Sequence, residues 1–274
     1  MKPLFDCRLY AFVDSAYLNG REPADIARAL CDGGSDLIQL RAKDAPVDEV
    51  ERMAEVILPI TREAGVRLVI NDHWDLANRL GADICHLGQE DFFDAGHANK
   101  SDLGARVRDP QQQPIGDGPE PVRGQDDALR RCGSQTRGPE TPAARDSNLS
   151  THNSLARRSE AKAAQPSTLL GLSTHAPEQA ERAIAAEADY IAIGPVYATG
   201  TKPTAKPVTL EYVSWAAEHV KIPWFSIGGI NLSNIDEVLE AGARRICVVS
   251  AILNAPDIAR ACQEYRDRLS SAPL

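Results

Sequence analysis

The sequence predicts an α/β protein of the (β/α)₈ barrel type, and three observations support this. Eight short apolar runs, rich in β-branched residues, are spread along the chain. Amphipathic segments follow most of them, several starting with Pro or Asp as helix N-termini do. Small tags such as Gly81-Ala82-Asp83 recur just before the runs, where glycine ends a helix. Eight such units suit a closed barrel. An open doubly wound sheet is the alternative, but no GxGxxG motif follows the first run.

The predicted strands are residues 9–13, 37–41, 66–71, 84–87, 169–173, 190–193, 224–227 and 246–250. The predicted helices are residues 23–31, 47–63, 76–80, 177–186, 210–219 and 232–240. Together they predict a single barrel domain spanning residues 1–274.

Residues 94–166 interrupt this alternation after the fourth strand. The segment has no Phe, Trp or Tyr and holds seven of the 18 prolines, so it cannot bury enough apolar surface to offset the entropy of ordering. We predict a low-complexity, largely disordered insertion, in which residues 153–164 are a candidate for the fourth helix. A tolerated surface insertion is the favoured interpretation; a role in binding a partner, which the residues do not specify, is the alternative.

Composition excludes several classes of protein. A net charge of −9 without a basic stripe argues against nucleic-acid binding. Six cysteines without a CxxC pair argue against a zinc site or a disulfide framework and favour reduced thiols. Neither a signal-peptide pattern nor a run of membrane-spanning length is present, so we expect a cytoplasmic protein with no membrane partner.

Candidate functional residues stand where strands end, because barrel active sites form at that face. Strand alternation places Gln39, Arg41 and Lys43 on one face of the second strand and Leu40 and Ala42 on the other. An amide, a guanidinium and an ammonium side by side suit an anion next to a hydrogen-bonding ring. A solvated strand end is the alternative.

The third and fourth strands contribute carboxylates. Asn71 and Asp72 end the third strand, while His86 and then Asp91 follow from the fourth. Asp72 and Asp91 would supply hard oxygen ligands, which predicts Mg²⁺ held partly by substrate phosphates and water. Taken singly, each Asp is more typical of a helix cap, and His86 of a half-buried core histidine.

The second half of the chain supplies phosphate-binding elements. Ser173 ends the fifth strand, and the loop after the sixth carries Thr199-Gly200-Thr201-Lys202. Gly228-Gly229 after the seventh strand allows close approach of the backbone to a ligand. Val249 and Ser250 follow the eighth, with Ser250 expected as a helix N-cap. Backbone N–H groups after the last two strands predict a phosphate site.

Taken in order, these motifs closely resemble the thiamine-phosphate synthase family. The matching segments are Gln39-Leu40-Arg41-Ala42-Lys43, Asn71-Asp72, residues 81–91 (GADICHLGQED), residues 171–175 (GLSTH), Gly194-Pro195-Val196-Tyr197 with Thr199-Gly200-Thr201-Lys202, Ile227-Gly228-Gly229-Ile230 and Val249-Ser250-Ala251-Ile252. They cover nearly everything outside residues 94–166, where the chain departs from the family pattern.

The resemblance implies a Mg²⁺-dependent transferase of thiamine biosynthesis. It would join a hydroxymethylpyrimidine diphosphate to a thiazole phosphate, or its carboxylate, releasing pyrophosphate. By the family pattern, Gln39 and Asn71 would hold the pyrimidine diphosphate and Ser173 its phosphates. The thiazole phosphate pocket would include Thr199, Thr201, Gly229, Val249 and Ser250. The catalytic charges would be Arg41, Lys43 and Lys202, and the substrate-binding set would also include Leu40, Ala42, His86 and Gly200.

Two other functions remain open at this point. One is a thiazole tautomerase on the same fold, which would not need Lys43, Asp72, Asp91 or the Thr-Gly-Thr-Lys loop. The other is a non-catalytic phosphate-binding barrel whose insertion recruits a partner. The expected partners are otherwise small molecules, and a homo-oligomer is left open.

Overall fold

Eight parallel strands pair in the order β1 to β8 and close into a barrel, because β8 also pairs with β1. The structure, a computed structural model, describes residues 1–104, 168–199 and 206–271. The predicted (β/α)₈ barrel is confirmed. Its strands are β1 (Leu9–Asp14), β2 (Leu37–Arg41), β3 (Arg67–Asn71), β4 (Ile84–Leu87), β5 (Leu169–Thr174), β6 (Tyr190–Ile193), β7 (Trp224–Ile227) and β8 (Ile246–Cys247).

Nine α-helices lie in the described ranges: α1 (Pro23–Asp32), α2 (Val47–Glu63), α3 (Trp74–Leu80), α4 (Gln89–Asp94), α5 (Pro177–Ala185), α6 (Thr209–His219), α7 (Ile235–Glu240), α8 (Ser250–Leu253) and α9 (Ile258–Ser271). The helices α1 and α5 begin at proline, whose fixed φ suits a first turn. The helix α3 ends at Gly81, whose φ of 68° favours glycine because a side chain there is strained.

The main differences from the predicted elements concern α4, α7, β8 and α9. The helices α4 and α9 are absent from the predicted set. The helix α7 starts three residues later than predicted, because Asn234 Oδ1 accepts the Asn231 N–H at 2.8 Å and holds a turn there. The strand β8 ends at Cys247 rather than position 250, because the chain turns into α8. The candidate fourth helix at residues 153–164 lies outside the described residues.

The first part of the predicted insertion is folded against the barrel. The Lys100 N–H donates to the Ala186 carbonyl at 2.9 Å, and the Lys100 ammonium lies 2.7 Å from Asp189 Oδ2. The Asp102 carboxylate accepts the N–H groups of Ala98 and Asn99. The segment that leaves β4 is therefore tied down as far as residue 104. Residues 105–167 lie outside the described part of the chain, and their predicted disorder stays a prediction.

Aromatic side chains fill the inside of the barrel. Tyr10, Tyr190 and Phe225 pack edge to face, with ring centroids 5.4 to 6.1 Å apart. A Cβ atom at Gly171 would lie 2.2 Å from Cζ of Tyr190, so the glycine leaves the space that this ring occupies. These three rings form the floor beneath the open end of the barrel.

The five cysteines in the described ranges are free thiols, and Cys132 lies outside them. None of the helices described is both long and apolar enough to cross a bilayer.

Candidate active site

An open cavity lies at the C-terminal ends of the strands. It is lined by four predicted site residues from the first half of the chain: Gln39, Arg41, Asn71 and His86. Five from the second half also line it: Ser173, Thr199, Gly229, Val249 and Ser250. The fold therefore brings residues from both halves of the chain to one pocket.

Arg41 is paired with a buried carboxylate that is not among the predicted site residues. Arg41 Nη1 lies 2.9 Å from Asp14 Oδ2, and the two side chains are 14% and 1% exposed. Asp14, at the end of β1, also accepts the Ala16 N–H at 3.0 Å. The ion pair holds the Arg41 guanidinium at the cavity wall, and the Asp14 carboxylate partly neutralises its positive charge.

The rest of the second-strand motif divides as alternation predicts. Leu40 is fully buried and Ala42 nearly so, both packed in the hydrophobic core and neither lining the cavity. Lys43 is exposed beyond the strand end. Any contact of Leu40 or Ala42 with a ligand would have to come from the backbone.

Asp72 and Asp91 interact electrostatically beside Lys43. Desolvation raises the pKa of Asp72, the negative charge of Asp91 raises it further, and Lys43, His73 and Arg41 act to lower it. Because burial and the charge of Asp91 make Asp72 harder to ionise, added positive charge beside Asp72 would be stabilising.

The donor set fits a divalent cation that also binds substrate. Among the described residues, no group of three or more His, Cys, Asp or Glu side chains could hold a metal ion. Mg²⁺ commonly takes one or two carboxylates and completes its octahedral shell with phosphate oxygens and water. Asp72 and Asp91 therefore fit a shared Mg²⁺–phosphate site and do not fit a site built from protein ligands alone.

The two loops after β6 and β7 touch closely at Gly228 and Gly229. Their φ angles are 102° and 68°, and a Cβ on Gly229 would lie 2.7 Å from Cβ of Tyr197. The Tyr197 N–H donates to the Gly228 carbonyl at 3.1 Å. This contact carries the chain that leads to Thr199 along the cavity wall. Gly200, Thr201 and Lys202 lie outside the described residues.

Ser250 is not the helix N-cap that the sequence predicts. Val249 occupies that position, and Ser250 is the first residue of α8. The helix starts one residue earlier than expected because the Leu253 and Ile252 N–H groups already bond the Val249 carbonyl. Both Val249 and Ser250 still line the cavity.

Six hydrogen bonds form a continuous chain along the floor of the cavity, which we call the relay. In order they join Asp72 to Asn71 (2.5 Å), Asn71 to Gln39 (2.8 Å), Gln39 to Tyr10 (3.1 Å), Tyr10 to Tyr190 (3.0 Å), Tyr190 to His86 (2.9 Å) and His86 to Ser173 (2.9 Å). The relay thus connects Gln39 and Asn71, predicted to hold the pyrimidine diphosphate, with Ser173, predicted to contact its phosphates.

His175 is a further cavity residue, one without a predicted role. Its Nδ1 bonds the Gly194 carbonyl, and its backbone N–H donates to Gln179 Oε1 at 2.7 Å. The ring lines the cavity next to Ser173. His175 is the last residue of the 171–175 motif, so the sequence contained a signal that could have marked it as a site residue.

Asp14 and the two relay tyrosines are absent from the predicted site for different reasons. Asp14 ends β1, and applying the strand-end rule to the first strand would have found it. Tyr10 and Tyr190 are typical β-forming residues inside apolar runs. Their pairing across 180 positions has no local signal in the sequence.

Comparisons with known proteins agree with the geometry. A family model described as thiamine monophosphate synthase matches residues 9–101 and 151–252. A thiamine-phosphate synthase of Thermus thermophilus is 39% identical over 243 residues, covering 88% of this chain and 86% of the relative. That of Acidothermus cellulolyticus is 34% identical over 271 residues, covering 98% of each. The solved thiamine phosphate pyrophosphorylase of Pyrococcus furiosus superposes with a TM-score of 0.64 at 25% identity, over 97% of this chain and 96% of that one.

Proposed function

This chain belongs to the thiamine-phosphate synthase family, and from that premise we propose the reaction it catalyses. As a member it is a transferase of thiamine biosynthesis, a thiamine-phosphate diphosphorylase. We propose that it moves the pyrimidinylmethyl group of 4-amino-2-methyl-5-(diphosphomethyl)pyrimidine onto 4-methyl-5-(2-phosphoethyl)thiazole. The products are thiamine phosphate and pyrophosphate, with CO₂ in addition if the thiazole is carboxylated.

The observation that carries the proposal is the set of three kinds of group near one wall of the cavity. Gln39 and Arg41 line the cavity, and Asp72 is bonded to the lining residue Asn71. Asp72 in turn feels the negative charge of Asp91 and the positive charges of Lys43 and Arg41. A diphosphate needs positive charge and a metal, whereas an aminopyrimidine needs paired donors and acceptors. A tautomerase would have no use for the carboxylate pair, so this cluster disfavours that alternative.

We assign the pyrimidine diphosphate to the side formed by β2 to β5. Gln39 and Asn71 would hold the ring, and His86 and Ser173 would contact the phosphates. The thiazole phosphate would lie against Thr199, Gly229, Val249 and Ser250. The roles of Gly200, Thr201 and Lys202 rest on the family resemblance.

The chemistry needs stabilisation of a leaving group rather than a protein nucleophile. Mg²⁺ bound by Asp72 and Asp91 would neutralise charge on the departing pyrophosphate. Arg41, Lys43 and Lys202 would add fixed positive charge where negative charge develops as the C–O bond breaks. The apolar wall at Phe12 keeps water from the resulting pyrimidinyl cation while the thiazole nitrogen attacks it.

A pyrophosphate-release assay with both substrates and Mg²⁺ tests this function. Release that needs both substrates and the metal is expected, and the thiazole phosphate and its carboxylate are compared in parallel reactions. Isomerisation of the thiazole carboxylate without pyrophosphate would favour the tautomerase instead. Binding of phosphates without any product would favour the non-catalytic barrel. The cytoplasmic location stays a prediction from the sequence.

A further inference from the structure

Tyr10 and Tyr190 lie beneath the cavity and do not line it. Both side chains are essentially unexposed, at 1% and 0%. Their hydroxyl groups are 3.0 Å apart and stand in the middle of the relay, between Gln39 and His86. Burying a phenol hydroxyl costs free energy unless the hydroxyl is hydrogen-bonded. Phenylalanine would fill the same space without that requirement, so the two hydroxyl groups point to a role for the bonds they make.

The donors and acceptors of the relay follow one order, which starts from the orientation of the Asn71 amide. Asn71 presents its Nδ2 to Asp72 and its Oδ1 to Gln39. Gln39 donates to Asn71 through Nε2, which leaves its Oε1 toward Tyr10. Each amide has one donor end and one acceptor end.

The hydrogen bonds of the two phenols keep the same order. Tyr10 gives its single proton to Gln39 Oε1, so toward Tyr190 it can act only as an acceptor. Tyr190 then gives its proton to Tyr10 and must accept from His86 Nδ1. Burial raises the pKa of both phenols well above their ordinary range, so each keeps the one proton that this order requires.

We propose that Tyr10 and Tyr190 are positioning residues that fix the Gln39 amide against flipping and hold His86 in its Nδ1–H tautomer. Fixed in this way, Gln39 has one Nε2–H and one Oε1 lone pair left for a ligand. That pair matches a ring that presents an acceptor nitrogen beside an exocyclic amine. It mismatches a ring that presents a carbonyl beside an N–H. The inference rests on the proposed function and adds the origin of its selectivity for an aminopyrimidine.

Each tyrosine governs a different end of the relay. Without the Tyr10 hydroxyl, the Gln39 amide keeps Asn71 as its one side-chain partner in the described part of the chain, so selection of the ring should weaken. Without the Tyr190 hydroxyl, Tyr10 still donates to Gln39, but the bond from His86 Nδ1 to Tyr190 is lost. The phosphate end should then be affected while ring selection is kept.

The test compares Tyr10→Phe and Tyr190→Phe with Tyr212→Phe as the matched control. Tyr212 is likewise buried and donates its hydroxyl at 2.8 Å to Thr174, outside the cavity. For each protein, kcat/KM is measured with the 4-aminopyrimidine diphosphate and with its 4-oxo analogue. The intrinsic reactivity of the two rings cancels when their ratio is compared between variants.

We expect the ratio of amino to oxo substrate to fall about tenfold in Tyr10→Phe and to stay unchanged in Tyr212→Phe. In Tyr190→Phe we expect an unchanged ratio and a lower kcat. An unaltered ratio in a folded, active Tyr10→Phe would overturn the proposal. A wild-type enzyme without pyrophosphate release would instead contradict the proposed function.

A second measurement needs no variant to fold. The ¹⁵N chemical shifts of His86 in the wild-type protein should show a protonated Nδ1. A neutral ring protonated at Nε2 would reverse the order of the relay and refute the inference.

Discussion

Replacing Arg41 by alanine should destabilise the fold as well as remove a charge from the cavity. The guanidinium is 2.9 Å from Asp14, whose side chain is 1% exposed and also accepts the Ala16 N–H. Leaving a buried carboxylate without its partner costs about 3–5 kcal/mol. We expect the lower end, about 3 kcal/mol, because Asp14 keeps the bond to Ala16 and the deletion opens a path for water.

For a domain of this size, a loss of about 3 kcal/mol corresponds to a fall in Tm of roughly 10 °C. The measurement is thermal unfolding of Arg41→Ala, with Lys43→Ala as the control. Lys43 is also basic and lies two residues further along, but it is exposed, so its removal should leave the Tm nearly unchanged. The double variant Asp14→Asn with Arg41→Ala should recover part of the lost stability, because the amide is neutral.

Equal Tm values for Arg41→Ala and Lys43→Ala would refute this reasoning. So would a double variant that is no more stable than Arg41→Ala. Activity of Arg41→Ala should be measured well below its Tm, since otherwise unfolding would be mistaken for lost catalysis.

Three further predictions concern the metal, the loop after β6 and the insertion. Asp91→Ala should lower turnover about a hundredfold at limiting Mg²⁺, whereas the neighbouring Glu90→Ala should not; near-normal turnover of Asp91→Ala would contradict its role as a metal ligand. Lys202→Ala should slow C–O cleavage in single-turnover kinetics more than it weakens thiazole phosphate binding, with Lys206→Ala as the control; an unchanged chemical step would assign the loop another role. Deleting residues 110–150 should leave a folded, active enzyme by circular dichroism and pyrophosphate release, because it keeps the described segment after β4, keeps the candidate fourth helix at residues 153–164 and removes no proposed site residue. An insoluble or inactive truncated enzyme would show that the insertion contributes to the barrel or the site.

Local patterns predict most of the barrel because each strand is short, apolar and followed by an amphipathic segment. The helix α9 carries the same kind of signal, since Ile258, Ala261, Cys262, Tyr265 and Leu269 are its buried residues at helical spacing. It is nevertheless absent from the predicted helices. Its charged outer face gives the segment a low mean hydropathy, which makes the apolar stripe easy to overlook.

The cavity residues could be named from strand ends, whereas their partners could not. The strand-end rule works because parallel strands bring their C-termini to one face. It gives no distance between side chains, so it predicts Arg41 but not its pairing with Asp14. The relay depends on contacts between positions as far apart as Tyr10 and Tyr190, and only the closed barrel creates them.

The close packing of Gly171 against Tyr190 limits which substitutions this protein can accept at the two positions. Any side chain at position 171 would overlap the tyrosine ring, because even a Cβ would come within 2.2 Å of Cζ. A smaller residue at position 190 would admit the change but would also remove a hydroxyl from the relay. Mutations at these two positions are therefore expected to be tolerated only in a particular order, with the loss of the ring coming before the gain of a methyl group. Relatives of this protein are therefore expected either to keep both Gly171 and Tyr190 or to have lost the tyrosine ring before gaining a side chain at position 171.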